Sequence, residues 1–149
     1  MMDIKQFERY LQENKVVFEL EEHENGIAGA KDAALYFDPE ECAAVYVIDT
    51  ERGLAAMIMG SKREDMDIAT LDKLLGYKVM GRADPRIVKQ ATGYEAGFLP
   101  IVGHKLPILF DKGLTVCDYI YGCTGDKSHI VKIKPEDVIR LSNMLMFVE

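Results

Sequence analysis

The sequence contains no tryptophan, and only three cysteines, three histidines and five prolines in 149 residues. Cys42, Cys117 and Cys123 are too few, and odd in number, for a disulfide framework, which excludes the small cross-linked secreted domains. No apolar run approaches the ~20 residues that a membrane span requires. The start, Met1-Met2-Asp3-Ile4-Lys5-Gln6, has no basic stretch followed by an apolar core, so no export signal is expected. Internal repeats, low-complexity tracts and linkers are missing as well. The expectation is one domain over residues 1–149, cytoplasmic and without a membrane partner. Familiar catalytic motifs are also lacking: there is no G-x-S-x-G elbow, no phosphate-binding G-x-x-x-x-G-K loop, no H-E-x-x-H and no C-x-x-C. Gly93-x-x-x-Gly97 is not a dinucleotide fingerprint, because it follows a predicted helix and not a strand.

What is present is ordinary for a folded domain: 48% hydrophobic and 29% charged residues in 16.8 kDa. Such a chain can bury roughly 68–70% of its unfolded surface. Its net charge of −7 is unevenly spread. Residues 1–75 hold 17 acids against 8 Lys and Arg, a balance of −9, whereas residues 76–149 balance at +2. An acidic total argues against a broad nucleic-acid-binding face, since phosphate contacts supply most of that affinity. The basic excess around residues 76–113 still permits local contact with a few phosphates.

Periodicity organises the chain. Ile4, Phe7, Tyr10 and Leu11 predict a helix ending at Asn14-Lys15. Val16 to Leu20 predicts a strand, and Ala28 to Tyr36 a short helix closed by Asp38-Pro39. Ala43–Ile48 and Leu54–Met59 predict a hairpin turning at Asp49–Gly53. Asp67 and Gly76 bracket one helix, and Asp84-Pro85 opens another running to Ala91. Leu106–Asp111, Thr115–Tyr121 and His129–Ile133 read as strands. Lys134-Pro135-Glu136-Asp137 opens a last helix carrying Val138, Leu141 and Leu145. The sum is a mixed α/β or α+β domain and not a regular parallel βαβ array.

Chemistry has few places to sit. Cys117, Cys123 and His129, with Asp118 and Asp126 nearby, are spaced more widely than structural zinc ligands usually are, and read as two small thiols and a strand-end histidine. Cys42 stands beside Ala43 and Ala44 at a core position, without the base a nucleophile needs. The glycine-rich stretch from Thr92 to Lys105 is the best candidate. Glycines let a backbone approach a ligand and offer successive N–H groups, which suit an oxyanion developing at an ester.

That stretch carries a resemblance. Thr92-Gly93-Tyr94-Glu95-Ala96-Gly97-Phe98-Leu99-Pro100-Ile101-Val102-Gly103-His104, followed by Leu106-Pro107 and Asp111, resembles the signature loop of the YbaK family. These are aminoacyl-tRNA deacylases related to the editing domain inserted in bacterial prolyl-tRNA synthetase. Phe18-Glu19 with His23, the Gly60–Asp67 loop, Leu74-Gly76-Lys78-Val79, Ala83-Asp84-Pro85, Gly122–Asp126 and Ile133–Val138 extend the similarity over about residues 16–141. The resemblance implies a barrel-like, mixed, largely antiparallel sheet flanked by helices. It implies hydrolysis of the ester of a mischarged tRNA, without metal or cofactor. The implied partner is a tRNA acceptor end or its aminoacyl group, and an aminoacyl-tRNA synthetase is a further candidate. Site residues follow: Gly97 and Gly103 for the reaction, with Gly93, Tyr94, Phe98, Pro100, His104, His129 and Ile130 toward the substrate.

Some positions depart from the pattern. The functional lysine expected on the second strand falls at Ala44, which can neither hold a phosphate nor polarise an ester. Ile130 replaces a polar residue, Phe98 replaces the second glycine of a pair, and Ile101 replaces a second proline. One reading is a divergent deacylase in which Lys31, Lys62 or His104 supplies the missing charge. The other is a weak or inactive relative that binds an aminoacyl or nucleotide group or a protein partner.

Overall fold

Asp3 starts the first helix. Its carboxylate accepts the Gln6 N–H at 2.8 Å, while Gln6 Oε1 accepts the Asp3 N–H at 2.9 Å, a reciprocal capping box. In this computed structural model, which describes residues 1–23, 35–63 and 66–149, helix α1 spans Ile4–Glu13 and buries Phe7 and Leu11. Lys15 at φ 59° turns the chain out of the helix. Strand β1 then runs over Phe18–Glu22, two residues later than expected, because Val16 is used first to plug the core. The expected helix at Ala28–Tyr36 lies mostly outside the described residues, and Leu35 and Tyr36 form a turn.

The hairpin forms as read, with β2 over Ala43–Thr50 and β3 over Gly53–Gly60 in antiparallel register from Ala43↔Gly60 to Thr50↔Gly53. Both strands are apolar almost throughout because the hairpin separates two cores. Alternate residues point to opposite faces. Ala43, Val47, Ala56 and Ile58 enter the main core beneath α1. Ile48, Ala55, Met57 and Met59 enter a second core against Leu71 of helix α2 (Ile68–Leu75). Helix α2 is bounded by Asp67, which accepts the Thr70 N–H at 2.7 Å, and by Gly76 at φ 76°. Strand β4 (Val79–Arg82), not anticipated from the sequence, pairs with the end of β2 across a register shift at Asp49/Thr50. Helix α3 (Pro85–Thr92) follows, capped by Asp84 and closed by Gly93 at φ 83°.

The later strands are β5 (Pro107–Asp111), β6 (Ile120–Cys123) and β7 (His129–Ile133). The strand expected at Thr115–Tyr121 is corrected. Asp111 accepts the Gly113 N–H at 2.9 Å and winds Lys112–Val116 into a 3-10 turn, leaving only the end of that segment extended. The last helix is also shorter than expected. Helix α4 covers Pro135–Leu141, and Leu145 lies on strand β8 (Asn143–Val148), beyond the break at Ser142.

Two sheets result, ordered β1-β7-β6 and β4-β2-β3-β5-β8. Among the described residues, only the β3–β5 and β5–β8 strand pairings are parallel. A parallel bridge between Cys42 and Tyr121 joins the sheets where β2 begins. The architecture is therefore the mixed, largely antiparallel, barrel-like sheet with flanking helices. Among the described residues no helix is long and apolar enough to cross a membrane.

Candidate functional site

Strand alternation decides which candidate residues meet. On β2, Ala43 and Val47 face the main core, so Ala44 faces the other way. On β7, Val131 and Ile133 face the main core, so Ile130 also faces the other way. The Cys42–Tyr121 bridge brings these two outer faces together. Fully buried Cys42 and Ile130 form a small apolar cluster with Ala44, Phe37 and Tyr121 packed against it. The rings of Phe37 and Tyr121 stack at 4.1 Å, and His23 meets Phe37 edge-on at 5.9 Å. The position of the expected lysine and that of the expected polar residue are thus neighbours, on a patch whose cluster residues carry no charge.

His129 does not join them. One residue before Ile130, it projects to the opposite face of β7. There it shares a cleft of about 230 Å³ with Ile4, Lys5, Glu8, Leu20 and Glu22. Its Nδ1 lies 2.9 Å from Asp126 Oδ1, and its Nε2 lies 3.9 Å from Glu22. Hydrogen bonds from His129, then Ser128, hold the Asp126 carboxyl down to about 2.

The signature loop also divides into two sides. Helix α3 ends at Gly93, and a Cβ there would lie 2.9 Å from Met1 Cβ. At Gly103, with φ 86°, a Cβ would lie 2.4 Å from Met2 Cε. These glycines make room for the N-terminal residues and not for a ligand. Tyr94 is buried against the same segment, its Oη accepting the Met2 N–H at 2.9 Å, and burial raises its pKa. Pro100 is buried. Gly97 differs: it is exposed in the 3-10 turn Ala96–Phe98 beside β2, and nothing lies within 4 Å of a Cβ placed there. Its neighbours' N–H groups are committed, Phe98 to Glu95 O and Ile101 to Cys123 O, both at 2.9 Å. Half-buried Phe98 carries Lys127 Nζ 5.3 Å from its ring centroid, and that amine is paired with Glu95 at 3.1 Å.

The three candidate sources of charge fare differently. His104 is 6% exposed, and burial lowers its pKa to about 4, so at neutral pH it is an uncharged imidazole. Its Nδ1 accepts the Leu106 N–H at 3.0 Å, which places the proton on a buried Nε2 without a partner. It lines a cavity of about 500 Å³ on the N-terminal side of the loop, with Met2, Gln6, Tyr10 and Tyr94. Lys62 is solvent-exposed and pairs with Glu40 at 3.4 Å. Lys31 lies outside the described residues.

Cys42 is no nucleophile. Burial, then Asp38 and Glu41, pushes its thiol up to about 11, and its Sγ–H donates to Asp38 O at 3.4 Å. Asp111 is a structural carboxylate, accepting from Gly60 N–H at 2.9 Å and from Arg63 at 2.8 Å. Arg63 in turn donates to Val148 O at 3.4 Å and to Glu149 O, fastening the chain's last residues to the sheet.

Two cation–aromatic pairs escape sequence reading because they depend on register. Lys127 over Phe98 is one. Arg82 is the other, its guanidinium carbon 4.4 Å from the ring centroid of Tyr46, on the Ala44 side of β2. Alternation could have separated His129 from Ile130 in advance; nothing local in the sequence pairs residue 82 with residue 46.

Comparison with known proteins places this geometry in a family. The sequence model of the aminoacyl-tRNA editing domain matches residues 24–141. The chain belongs to that family. No curated protein matches it. Solved structures do match. One described as a candidate trans-editing enzyme for prolyl tRNA synthetase superposes with a TM-score of 0.79 at 20% identity, covering 98% of this chain and 96% of that one. The hypothetical protein APE2540 gives 0.82 at 18% identity, with 94% and 95% covered. A scaffold from work on computational epitope backbone grafting gives 0.80 at 19% identity, with 95% and 92% covered. At these identities the structures establish the shared fold.

Proposed function

We propose that this domain acts in trans as a deacylase, hydrolysing the ester of mischarged aminoacyl-tRNA at a site formed by the Ala96–Phe98 turn beside β2, with Ala44 and Ile130 toward the acyl group. One observation carries the reading: within an editing-domain fold, Gly97 presents an exposed backbone with open space beside it. A water oxygen adds to the ester carbonyl carbon, and the loop backbone at Gly97 faces the oxyanion that forms. The bond to the ribose oxygen then breaks, that oxygen takes the proton, and free amino acid and tRNA leave. One well-placed oxyanion donor contributes ~2.7–4 kcal/mol to such a barrier. Ala44, Ile130 and Phe98 line the acyl side. Gly93, Tyr94, Pro100, Gly103 and His104 hold the loop in shape, and His129 braces β7 from the far face.

The test is a deacylation assay over a panel of mischarged tRNAs, with Gly97→Val beside the wild type. The expected result is turnover by the wild type and a drop of at least 10²-fold in the variant at unchanged Tm. Failure of the wild type on every tRNA overturns the hydrolytic reading.

The apolar cluster of Cys42, Ala44 and Ile130 favours a second reading, a binding module for an aminoacyl or nucleotide group. That reading requires an aminoacyl-adenosine analogue to shift NMR signals near Gly97 in the absence of turnover. Turnover gained only on Ala44→Lys would also support it.

A further inference from the structure

An aminoacyl-tRNA reaches a hydrolytic site by a single-stranded end, and such strands are held by cations along their phosphates and by aromatic rings. The residues clustered at Ala44 and Ile130 carry no charge, so charge for the strand has to come from beside them. We propose that Lys132 and Lys134, drawn together on the ring of Tyr119, hold the phosphodiesters of the single-stranded tRNA end that leads into the acyl site. This inference rests on the editing reading above.

Strand pairing sets the geometry. Val131 and Ile133 of β7 face the main core, so Lys132 lies on the same outer face as Ile130, about 6.6 Å along the strand at the usual rise. It stands opposite Tyr121 of β6, and Tyr121 packs against the cluster of Cys42 and Ile130. Lys132 is therefore a neighbour of the apolar patch. Its Nζ lies 4.8 Å from the centroid of the Tyr119 ring, and Lys134 Nζ lies 5.9 Å from the same centroid. The ring's electron-rich face attracts both amines. It gathers two positive charges at one place in a chain whose net charge is −7. Like charges so placed disfavour each other, and an anion seated beside them offsets that cost. A cleft of about 390 Å³, lined by Thr115, Tyr119 and Lys134 among others, gives such an anion room.

The acids around the lysines limit this grip without removing it. Lys132 Nζ lies 3.9 Å from Glu19 Oε2, but that carboxylate is 70% exposed, and a solvent-screened pair of this kind is weak enough for a phosphate to compete. Asp118 and Glu136 share the cleft with Lys134. They lower the attraction for nucleic acid at large. A strand whose aminoacyl end is already seated is different, because its phosphates then meet the lysines at a high effective concentration.

The experiment compares two probes with the same acyl end. One is an aminoacyl minihelix with an amide in place of the ester; the other is the aminoacyl-adenosine amide, which has no phosphodiester. Kd is measured for both across a range of salt, with Tm, on the wild type, Lys132→Gln/Lys134→Gln, Lys132→Arg/Lys134→Arg and the two single Gln variants. The double Gln variant should bind the minihelix roughly tenfold more weakly or worse, its slope of log Kd against log salt reduced by about 0.7 for each lysine removed. The double Arg variant should keep the wild-type affinity, and the adenosine amide should bind every variant alike. Wild-type affinity and slope in the double Gln variant overturn the proposal. So does an equal loss for the adenosine amide, since the lysines would then serve the acyl patch and not the phosphates. An equal loss in the double Arg variant overturns it too, because charge would not be what the strand reads. Should the double Gln variant fail to fold, the single variants carry the same comparison at half the slope change. No minihelix binding by the wild type also sinks the proposal. If the wild type binds the minihelix but hydrolyses no ester, the hydrolytic reading fails alone, and the salt slopes still decide the role of Lys132 and Lys134.

Discussion

His104 makes the pH dependence of stability a direct check on the loop. The imidazole is 6% exposed and its pKa is lowered by burial from 6.5 to about 4. A histidine held neutral in the fold takes up its proton more readily when unfolded. Its stabilising contribution is therefore complete above pH 6.5 and is lost as pH falls toward 4. With these two values the loss is roughly 2 kcal/mol at pH 5 and roughly 3 kcal/mol at pH 4. The informative variant is His104→Asn. An asparagine carbonyl can accept the Leu106 N–H as Nδ1 does, in an Asx-type turn, without carrying a titratable group. Urea unfolding of both proteins at half-unit steps from pH 7.5 to pH 4 isolates the effect. The wild type should lose about 2 kcal/mol more than the variant between pH 7 and pH 5. Parallel stability curves would refute the argument, since His104 would then titrate alike in folded and unfolded chains.

Other consequences are more local. Asp111→Ala removes the acceptor for Gly60, Gly113 and Arg63. The expected loss is about 3 kcal/mol by denaturant unfolding, the low end for a buried pair because Arg63 is 28% exposed. Gly125→Ala places a Cβ 2.5 Å from Tyr94 Cε1 at φ 91°, against a ring that is itself buried. It should cost about 1–3 kcal/mol, read as a lowered Tm. Iodoacetamide at pH 8 should alkylate partly exposed Cys117 well before Cys42, whose thiol is buried and raised to about 11. Peptide mass spectrometry reads the order, and early labelling of Cys42 would contradict its placement.

Much of the fold was legible where a local signal has a local cause. Asp67 and Asp84 each accept an N–H of the helix they open, and Gly76 takes a left-handed angle where the chain leaves α2. The β2–β3 hairpin was legible from two apolar runs around a polar turn. Strand β8 was not, because Leu141 and Leu145 continue a helical spacing and only the break at Ser142 separates them. Strand β4 is four residues held by pairing to β2, and no periodicity announces it. In the candidate site, the order of glycines and prolines was enough to suggest the family. It could not say which way each glycine faces. Gly93 and Gly103 accommodate Met1 and Met2, some 90 to 100 residues away in the chain, and only Gly97 opens outward.

The departures at Ala44 and Ile130 make sense as one feature once the strands are paired. Ile130 is 1% exposed against Cys42, so the β7 residue in the cluster with Ala44 is apolar, and the polar residue of that face is Lys132, two positions on. A charged amine there would point across an isoleucine and a buried thiol, with the stacked Phe37–Tyr121 pair beside it. Desolvation among these groups disfavours such a charge, and an alanine packs against the cluster without that cost. On the same face of β2, two residues on, Tyr46 carries the guanidinium of Arg82 4.4 Å from its ring centroid. The cation on this face of β2 therefore stands over an aromatic ring and not among the groups packed on Cys42 and Ile130.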